Sequence, residues 1–214
     1  LRGVMTHAGG SYDCKSVDDI RGYSERERAA AVRCAEQLRA AGLPCSVVSV
    51  GSTPTASYAE NLAGVTEVRV GVYMFFDLFM AGLSVCQMDD VALSVLCSVI
   101  GHQPEKGWII TDAGWMALSR DRGTAGQKVD QGYGVVCDAA GKPYDELIVA
   151  SANQEHGIVA ERSGGAIDPA RFPVGTLLRV LPNHACATAA QHDRYQVLSS
   201  AMQIEAQWPR FSGW

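Results

Sequence analysis

Lysine is scarce in this sequence, with only four residues, Lys15, Lys106, Lys128 and Lys142, in a chain of 214. The basic residues are scattered and the formal net charge is −5, so no stripe exists to neutralise nucleic-acid phosphates. No apolar run reaches the ~18 residues of a membrane-spanning helix, and Leu1-Arg-Gly-Val-Met-Thr6 is not a signal peptide. C-x-x-C, H-E-x-x-H and G-x-G-x-x-G are missing, as are a Ser-His-Asp spacing and a P-loop with its lysine. There are no internal repeats and no low-complexity tract. The seven cysteines are an odd number without regular spacing. That argues against an oxidised secreted framework and for a reducing cytoplasm in which most thiols are simply packed. The chain opens in what reads as a strand already under way, so a truncated or processed chain is expected.

At 47% hydrophobic and 19% charged residues, the chain has ample material for a core, as one large or two small domains. Leu1–Thr6 reads as a short strand, followed by a Gly9-Gly10 turn and Tyr12. The clearest helix spans Ser24–Ala41. Ser24 with Glu27 forms a capping box, Val32, Ala35 and Leu38 make an apolar stripe, and Gly42 and Pro44 stop it. Cys45–Val50 is a buried strand that runs into Gly51-Ser-Thr-Pro-Thr55, and Glu67–Val72 is a further strand. This alternation belongs to a parallel α/β sheet or barrel.

From about residue 88 the pattern becomes all-β. Val91–Val99 alternates with period two, and short strands follow at Trp108–Thr111, Gly134–Cys137, Leu147–Ala150, Gly157–Val159, Leu177–Val180, Tyr195–Leu198 and Gln203–Ala206. The boundary is placed between Asp77 and Met88, giving an α/β segment over 1–80 and a β-domain over 81–214.

Gly51–Thr55 is small and hydroxyl-rich where a strand ends. Such a turn can cradle a phosphate with amides and hydroxyls, or it can be an ordinary strand-to-helix connection. Tyr73 would lie beside it at the end of the next strand, where parallel α/β folds place ligands, or simply pack there. His7 and Tyr12 flank the first strand's turn and could share that site. Asp112, in Asp112-Ala-Gly-Trp115, is either a side-chain cap or a site carboxylate. His156, in Gln154-Glu-His-Gly157, sits at a β-turn.

The most chemical stretch is Leu181-Pro-Asn-His-Ala-Cys-Ala-Thr188. If the preceding strand stays extended, His184 and Cys186 project from one face about 7 Å apart. Imidazole nitrogen and thiolate sulfur are preferred zinc ligands, and two protein ligands leave positions open for water or substrate. The same residues also read as a turn after Pro182 with a capping Asn183, a satisfied histidine and a buried cysteine.

Taken together these segments resemble the D-serine dehydratase/D-threonine aldolase-like family, the metal-dependent branch of the alanine-racemase-type fold. The matching segments are Leu1–Tyr12, Gly51–Thr55, Gly71–Asp77, Asp112–Trp115, Gln154–Gly157, Pro182–Thr188 and Trp208-Pro-Arg210, which run in order over essentially the whole chain. The resemblance implies the second half of an alanine-racemase-type (β/α) barrel followed by a C-terminal β-domain. It implies an enzyme, a lyase that uses pyridoxal 5'-phosphate (PLP) and a divalent ion (zinc first, manganese or magnesium as alternatives) on small β-hydroxy-D-amino acids. It places the cofactor on Tyr12, Gly51, Ser52, Thr53 and Tyr73, and the metal and catalysis on His184 and Cys186. A homodimer, or pairing with a missing N-terminal half, is expected, because half a barrel exposes open strand edges, and none of the four lysines matches the family's cofactor lysine. The rivals are an amino-acid racemase of the same fold and a non-catalytic binding module.

Overall fold

The structure, a computed structural model, describes residues 1–211. These fall into two compact units, Leu1–Phe76 with Met80–Asp90, and Asp77–Phe79 with the chain from Val91 onward.

In the first unit, β1 (Gly3–Met5), β2 (Val47–Val50) and β3 (Glu67–Val68) form a parallel sheet in that order. α1 (Val17–Ala40) lies between β1 and β2 in sequence, and α2 (Thr53–Ser57) follows β2. Ala31 and Ala35 of α1 bury against Val48 and Val50, with Val4, Val32 and Leu38 packed around them. Small residues on the helix let it sit close to a β-branched strand, and each fully buried valine contributes roughly 1.5–3 kcal/mol.

Two expectations need correction here. α1 begins seven residues before the expected Ser24. Its N-cap is Ser16, whose hydroxyl accepts from the Asp19 amide, with Asp18 and Asp19 complementing the helix dipole. Ser24 and Glu27 are therefore buried mid-helix residues, not a capping box. The expected strand Glu67–Val72 is paired only at Glu67 and Val68. Arg69 N–H still donates to Val50 O, but Gly51 (φ +131°) turns β2 away, so the chain beyond has no strand opposite and enters a 3₁₀ turn at Val72–Met74.

After α3 (Leu78–Gly82), the second unit is a closed six-stranded antiparallel barrel. β4 (Val95–Gln103), β5 (Trp108–Thr111), β6 (Gly134–Asp138), β7 (Pro143–Ala152), β8 (Gly157–Glu161) and β9 (Leu177–Pro182) are ordered β4-β5-β8-β7-β6-β9. Closure leaves no unpaired edge. Val95, Cys97, Val99, Ile109, Val136, Val149, Val159, Leu178 and Val180 fill it, alternating with outward residues as the period-two pattern requires. Two short helices interrupt the strands, α4 (Trp115–Leu118) and α5 (Ala185–Ala189), and the hairpin β10 (Arg194–Leu198) with β11 (Ile204–Pro209) follows. The expected order of α/β then all-β is observed. β4 starts four residues later than the sequence pattern suggested. Among the described residues no helix is long and apolar enough to cross a membrane.

Candidate functional site

The first cluster lies at the C-terminal ends of β1 and β2. The Ser52 hydroxyl caps α2, accepting from Thr55 N–H, while Ser52 N–H donates to Thr55 Oγ1 at 3.1 Å. Gly51 is required by geometry. Besides its positive φ, a Cβ there would stand 2.2 Å from the Arg69 carbonyl oxygen. His7 Nδ1 is 3.1 Å from Gly51 O, the His7 and Tyr12 rings are 6.0 Å apart, and the Ser11 and Ser52 hydroxyls are 3.1 Å apart. The fold thus brings His7, Tyr12, Gly51, Ser52 and Thr53 into one neighbourhood. Thr53 is buried, and its hydroxyl has no hydrogen-bond partner. A buried, unsatisfied hydroxyl is costly unless something outside the protein engages it. Tyr73 is not at a strand end: it lies on the 3₁₀ turn and is half exposed.

Glu27, misread from the sequence as half of a capping box, belongs to this cluster. Its carboxylate accepts from the Thr6 hydroxyl at 2.9 Å, the Gly51 amide at 3.0 Å and the Thr55 hydroxyl at 3.0 Å. A helical period places Glu27 one turn before Ala31 and two before Ala35, on the buried face. That was the available signal, masked by the local Ser-x-x-Glu pattern.

The second cluster forms where β9 leads into α5. His184 is the N-cap of α5, with extended backbone (φ −137°, ψ 108°), and Cys186 lies in the first helical turn. The expected 7 Å spacing along a strand is overturned. The chain stops being extended after His184, because the Asp77 carboxylate accepts Ala185 N–H at 2.9 Å and the first helical bond, Thr188 N–H to His184 O, forms at 3.1 Å. The helical turn brings the two side chains together, with Cys186 exposed. The other expectation, a buried cysteine and a capping Asn183, fails as well. Asn183 is buried, its Oδ1 accepts Thr124 N–H at 3.0 Å, and its Nδ2 donates to Thr124 Oγ1 and Gly132 O, both at 2.7 Å.

Asn183 thereby ties down the loop that carries Asp121. Asp121 Oδ2 is 2.6 Å from His184 Nδ1, while its Oδ1 accepts Gly123 N–H at 2.8 Å. The neighbouring Cys186 side chain, and after it the Asp121 carboxylate, raise the His184 imidazole to about 9 against the opposing effect of burial. Asp121 holds Nδ1 and so orients the ring, with the Cys186 side chain within hydrogen-bond reach of the imidazole. Nothing in the Ser119-Arg-Asp-Arg122 sequence announced it, because its partner is 63 residues away. Among the described residues no group of three or more His, Cys, Asp or Glu converges as a closed metal site, so the arrangement offers two donors and a supporting carboxylate. Asp112 and His156 stay out of this cluster. Asp112 Oδ1 accepts Ser98 N–H at 2.7 Å, tying β5's end to β4, and His156 Nε2 meets Asn153 Nδ2 at 2.9 Å in the β7–β8 turn.

The thiols divide by burial. Cys45, Cys86, Cys97 and Cys137 are buried, whereas Cys34 and Cys186 are exposed. Burial pushes Cys97 and Cys137 up to about 12. In the metal-free protein, iodoacetamide at pH 8 is therefore expected to label Cys34 and Cys186 within minutes and to reach Cys97 and Cys137 only after denaturation, as peptide mass mapping will show. Labelling of either barrel thiol at the Cys34 rate would contradict this placement.

A sequence profile described as "Putative serine dehydratase domain" matches residues 92–198, and one described as "Alanine racemase, N-terminal domain" matches residues 1–78. D-threo-3-hydroxyaspartate dehydratase of Delftia sp. (strain HT23) is 59% identical over 216 aligned residues, covering 100% of this chain and 57% of that protein. Its crystal structure superposes with a TM-score of 0.97. That enzyme's solved forms include a metal-free variant with a cysteine replaced by alanine, and a variant in which the histidine two positions before that cysteine is replaced. An alanine racemase-like protein from Idiomarina loihiensis is 48% identical, with a TM-score of 0.93, covering 100% of this chain and 56% of that one. D-serine dehydratase of Dictyostelium discoideum is 30% identical over 95% of this chain and 52% of its own length. The chain thus spans between half and three-fifths of the length of these three relatives.

Proposed function

This chain belongs to the D-serine dehydratase-like family built on the alanine-racemase fold, and from that premise we propose that it forms part of a PLP- and divalent-metal-dependent dehydratase of β-hydroxy-D-amino acids. The observation that carries the reading is the meeting of His184 and Cys186 at the β9–α5 turn, with the imidazole oriented by Asp121. Their order and spacing are those of the histidine and cysteine replaced in the Delftia variants. The substrate class follows from the Delftia and Dictyostelium relatives, which act on 3-hydroxyaspartate and serine of the D series by name. Homodimerisation is part of the same family reading.

The residues fit both groups. A nitrogen and a sulfur donor suit zinc, and two protein ligands leave positions for water and a substrate oxygen. The unpartnered, buried Thr53 hydroxyl beside Gly51 and Ser52 fits a phosphate oxygen. When bound, PLP withdraws electrons from the substrate Cα and the ion acts as a Lewis acid toward the β-hydroxyl. The chain's own residues do the holding. Asp121 accepts the Nδ1 proton of His184 and so orients the ring, and Nε2 would serve as the metal donor once the imidazolium gives up its second proton to make way for the incoming ion. Asp77 starts α5 at Ala185 and so sets where the Cys186 thiol stands. Asn183 anchors the Thr124 and Gly132 ends of the loop behind both. Thr53 would donate its hydroxyl to the phosphate. Over the whole reaction the Cα proton and the Cβ hydroxyl leave as water, and hydrolysis of the resulting enamine yields a 2-oxo acid and ammonia.

The test is product analysis on the full-length protein with D-threo-3-hydroxyaspartate and D-serine, before and after removal of metal by EDTA. Equal amounts of 2-oxo acid and ammonia, lost with the metal and restored by zinc, are expected. Glycine with an aldehyde would instead indicate aldol cleavage, and racemised substrate a racemase. Asp121→Asn should weaken zinc binding by about 10–100-fold in a chelator competition while the fold is kept. Unchanged affinity would remove Asp121 from the metal site.

A further inference from the structure

Glu27 is a carboxylate buried in the middle of a long helix, on the face that elsewhere carries Ala31 and Ala35. A carboxylate there is unfavourable unless donors satisfy it. Three do, and all come from the ends of β1 and β2 or the turn after them: the Thr6 hydroxyl, the Gly51 amide and the Thr55 hydroxyl. The consequence lies in which donors remain. Gly51 N–H is taken by Glu27, Ser52 N–H by Thr55 Oγ1, Pro54 has none, and the Thr55 hydroxyl is turned inward to Glu27. The side chain left buried and unengaged is Thr53.

We propose that Glu27 is a positioning residue for the cofactor phosphate: it holds the Gly51–Thr55 turn in the one shape that reserves the Thr53 hydroxyl for that phosphate. The inference rests on the reading of this turn as the PLP phosphate site. Glu27 acts from behind the loop, by taking the hydrogen bonds that would otherwise let Gly51 and Thr55 swing toward the ligand. Acting through hydrogen bonds, it should be replaceable by glutamine. The Gln amide oxygen can accept from Thr6 and Gly51, and its NH₂ can donate to Thr55 Oγ1. Alanine can do neither, and it leaves the Gly51 amide and the Thr55 hydroxyl without a partner.

The experiment titrates the cofactor-stripped full-length protein with PLP and, separately, with pyridoxal, which lacks the phosphate, reading cofactor absorbance well below the melting temperature. Glu27→Ala is expected to raise the Kd for PLP by about tenfold or more and to leave that for pyridoxal within about twofold, with Glu27→Gln close to wild type. Thr55→Val, nearly isosteric, breaks the same link from the loop side and should show the same selective loss, so it carries the test if Glu27→Ala does not fold. A merely structural role would weaken PLP and pyridoxal equally, and that result overturns the inference. Thr53→Val separates the two layers. If it leaves the ratio of PLP to pyridoxal affinity unchanged, the phosphate-site reading falls and this inference with it. If Thr53→Val shifts the ratio while Glu27→Ala and Thr55→Val do not, the inference about Glu27 falls alone.

Discussion

His184→Ala and Cys186→Ala are each expected to strip the divalent ion from the full-length protein and to lower turnover by on the order of a hundredfold or more. With only two protein donors at the turn, deletion of either leaves a single ligand, too few to retain an ion against a mild chelator. Neither residue belongs to the barrel core: Cys186 is exposed and His184 is partly so. The melting temperature of the metal-free variants should therefore stay within a few degrees of metal-free wild type, which separates lost ligation from lost folding. His184→Ala also frees the Asp121 carboxylate from its partner, so its effect on the 121–132 loop should exceed that of Cys186→Ala in hydrogen exchange. Metal content equal to wild type in both variants, by elemental analysis, would end the assignment.

Gly51→Ala is expected to destabilise the first unit by about 2–4 kcal/mol. The backbone there has φ +131°, and the new methyl group would lie 2.2 Å from the carbonyl oxygen and 2.9 Å from the amide nitrogen of Arg69. Both are backbone atoms held where β3 pairs with β2, so relief requires moving the strand or the turn. Moving the turn breaks the Gly51 N–H bond to Glu27 and the His7 contact to Gly51 O. PLP affinity should therefore fall along with stability. Gly42→Ala is the control. It too has a positive φ (+77°), but its Cβ meets nothing within 4 Å, so only about 1 kcal/mol is expected. Urea unfolding of the two variants gives the comparison directly, and a Gly51→Ala midpoint no lower than that of Gly42→Ala would refute the argument.

The histidine–cysteine pair shows that two residues can meet by a geometry other than the one their spacing suggests. Their proximity was inferred from strand alternation, yet a helical turn makes it, and the turn exists because Asp77, 108 residues earlier, accepts Ala185 N–H. Glu27 shows the opposite error, a local pattern overruling the helical period. Ser24-x-x-Glu27 satisfies a capping box on paper, but Ser16 starts the helix earlier and the Glu27 carboxylate is already engaged by three donors from β1 and the Gly51–Thr55 turn.

Sequence alone determined what depends on short-range regularity: the change from α/β to all-β from about residue 88, the period-two strands of the barrel, the small hydroxyl-rich turn after β2, and, through motif order, the family. Each is written within a dozen residues, where side-chain alternation, strand punctuation and residue type act directly. Only the tertiary structure decided that β3 ends after two paired residues, that Tyr73 sits on a turn, that Asn183 braces a loop, and that Asp121 orients His184. Those outcomes are hydrogen bonds and packing between residues tens of positions apart. A hydrogen-bond partner is chosen by where the folded backbone places it, and in one chain read by itself no spacing records that choice.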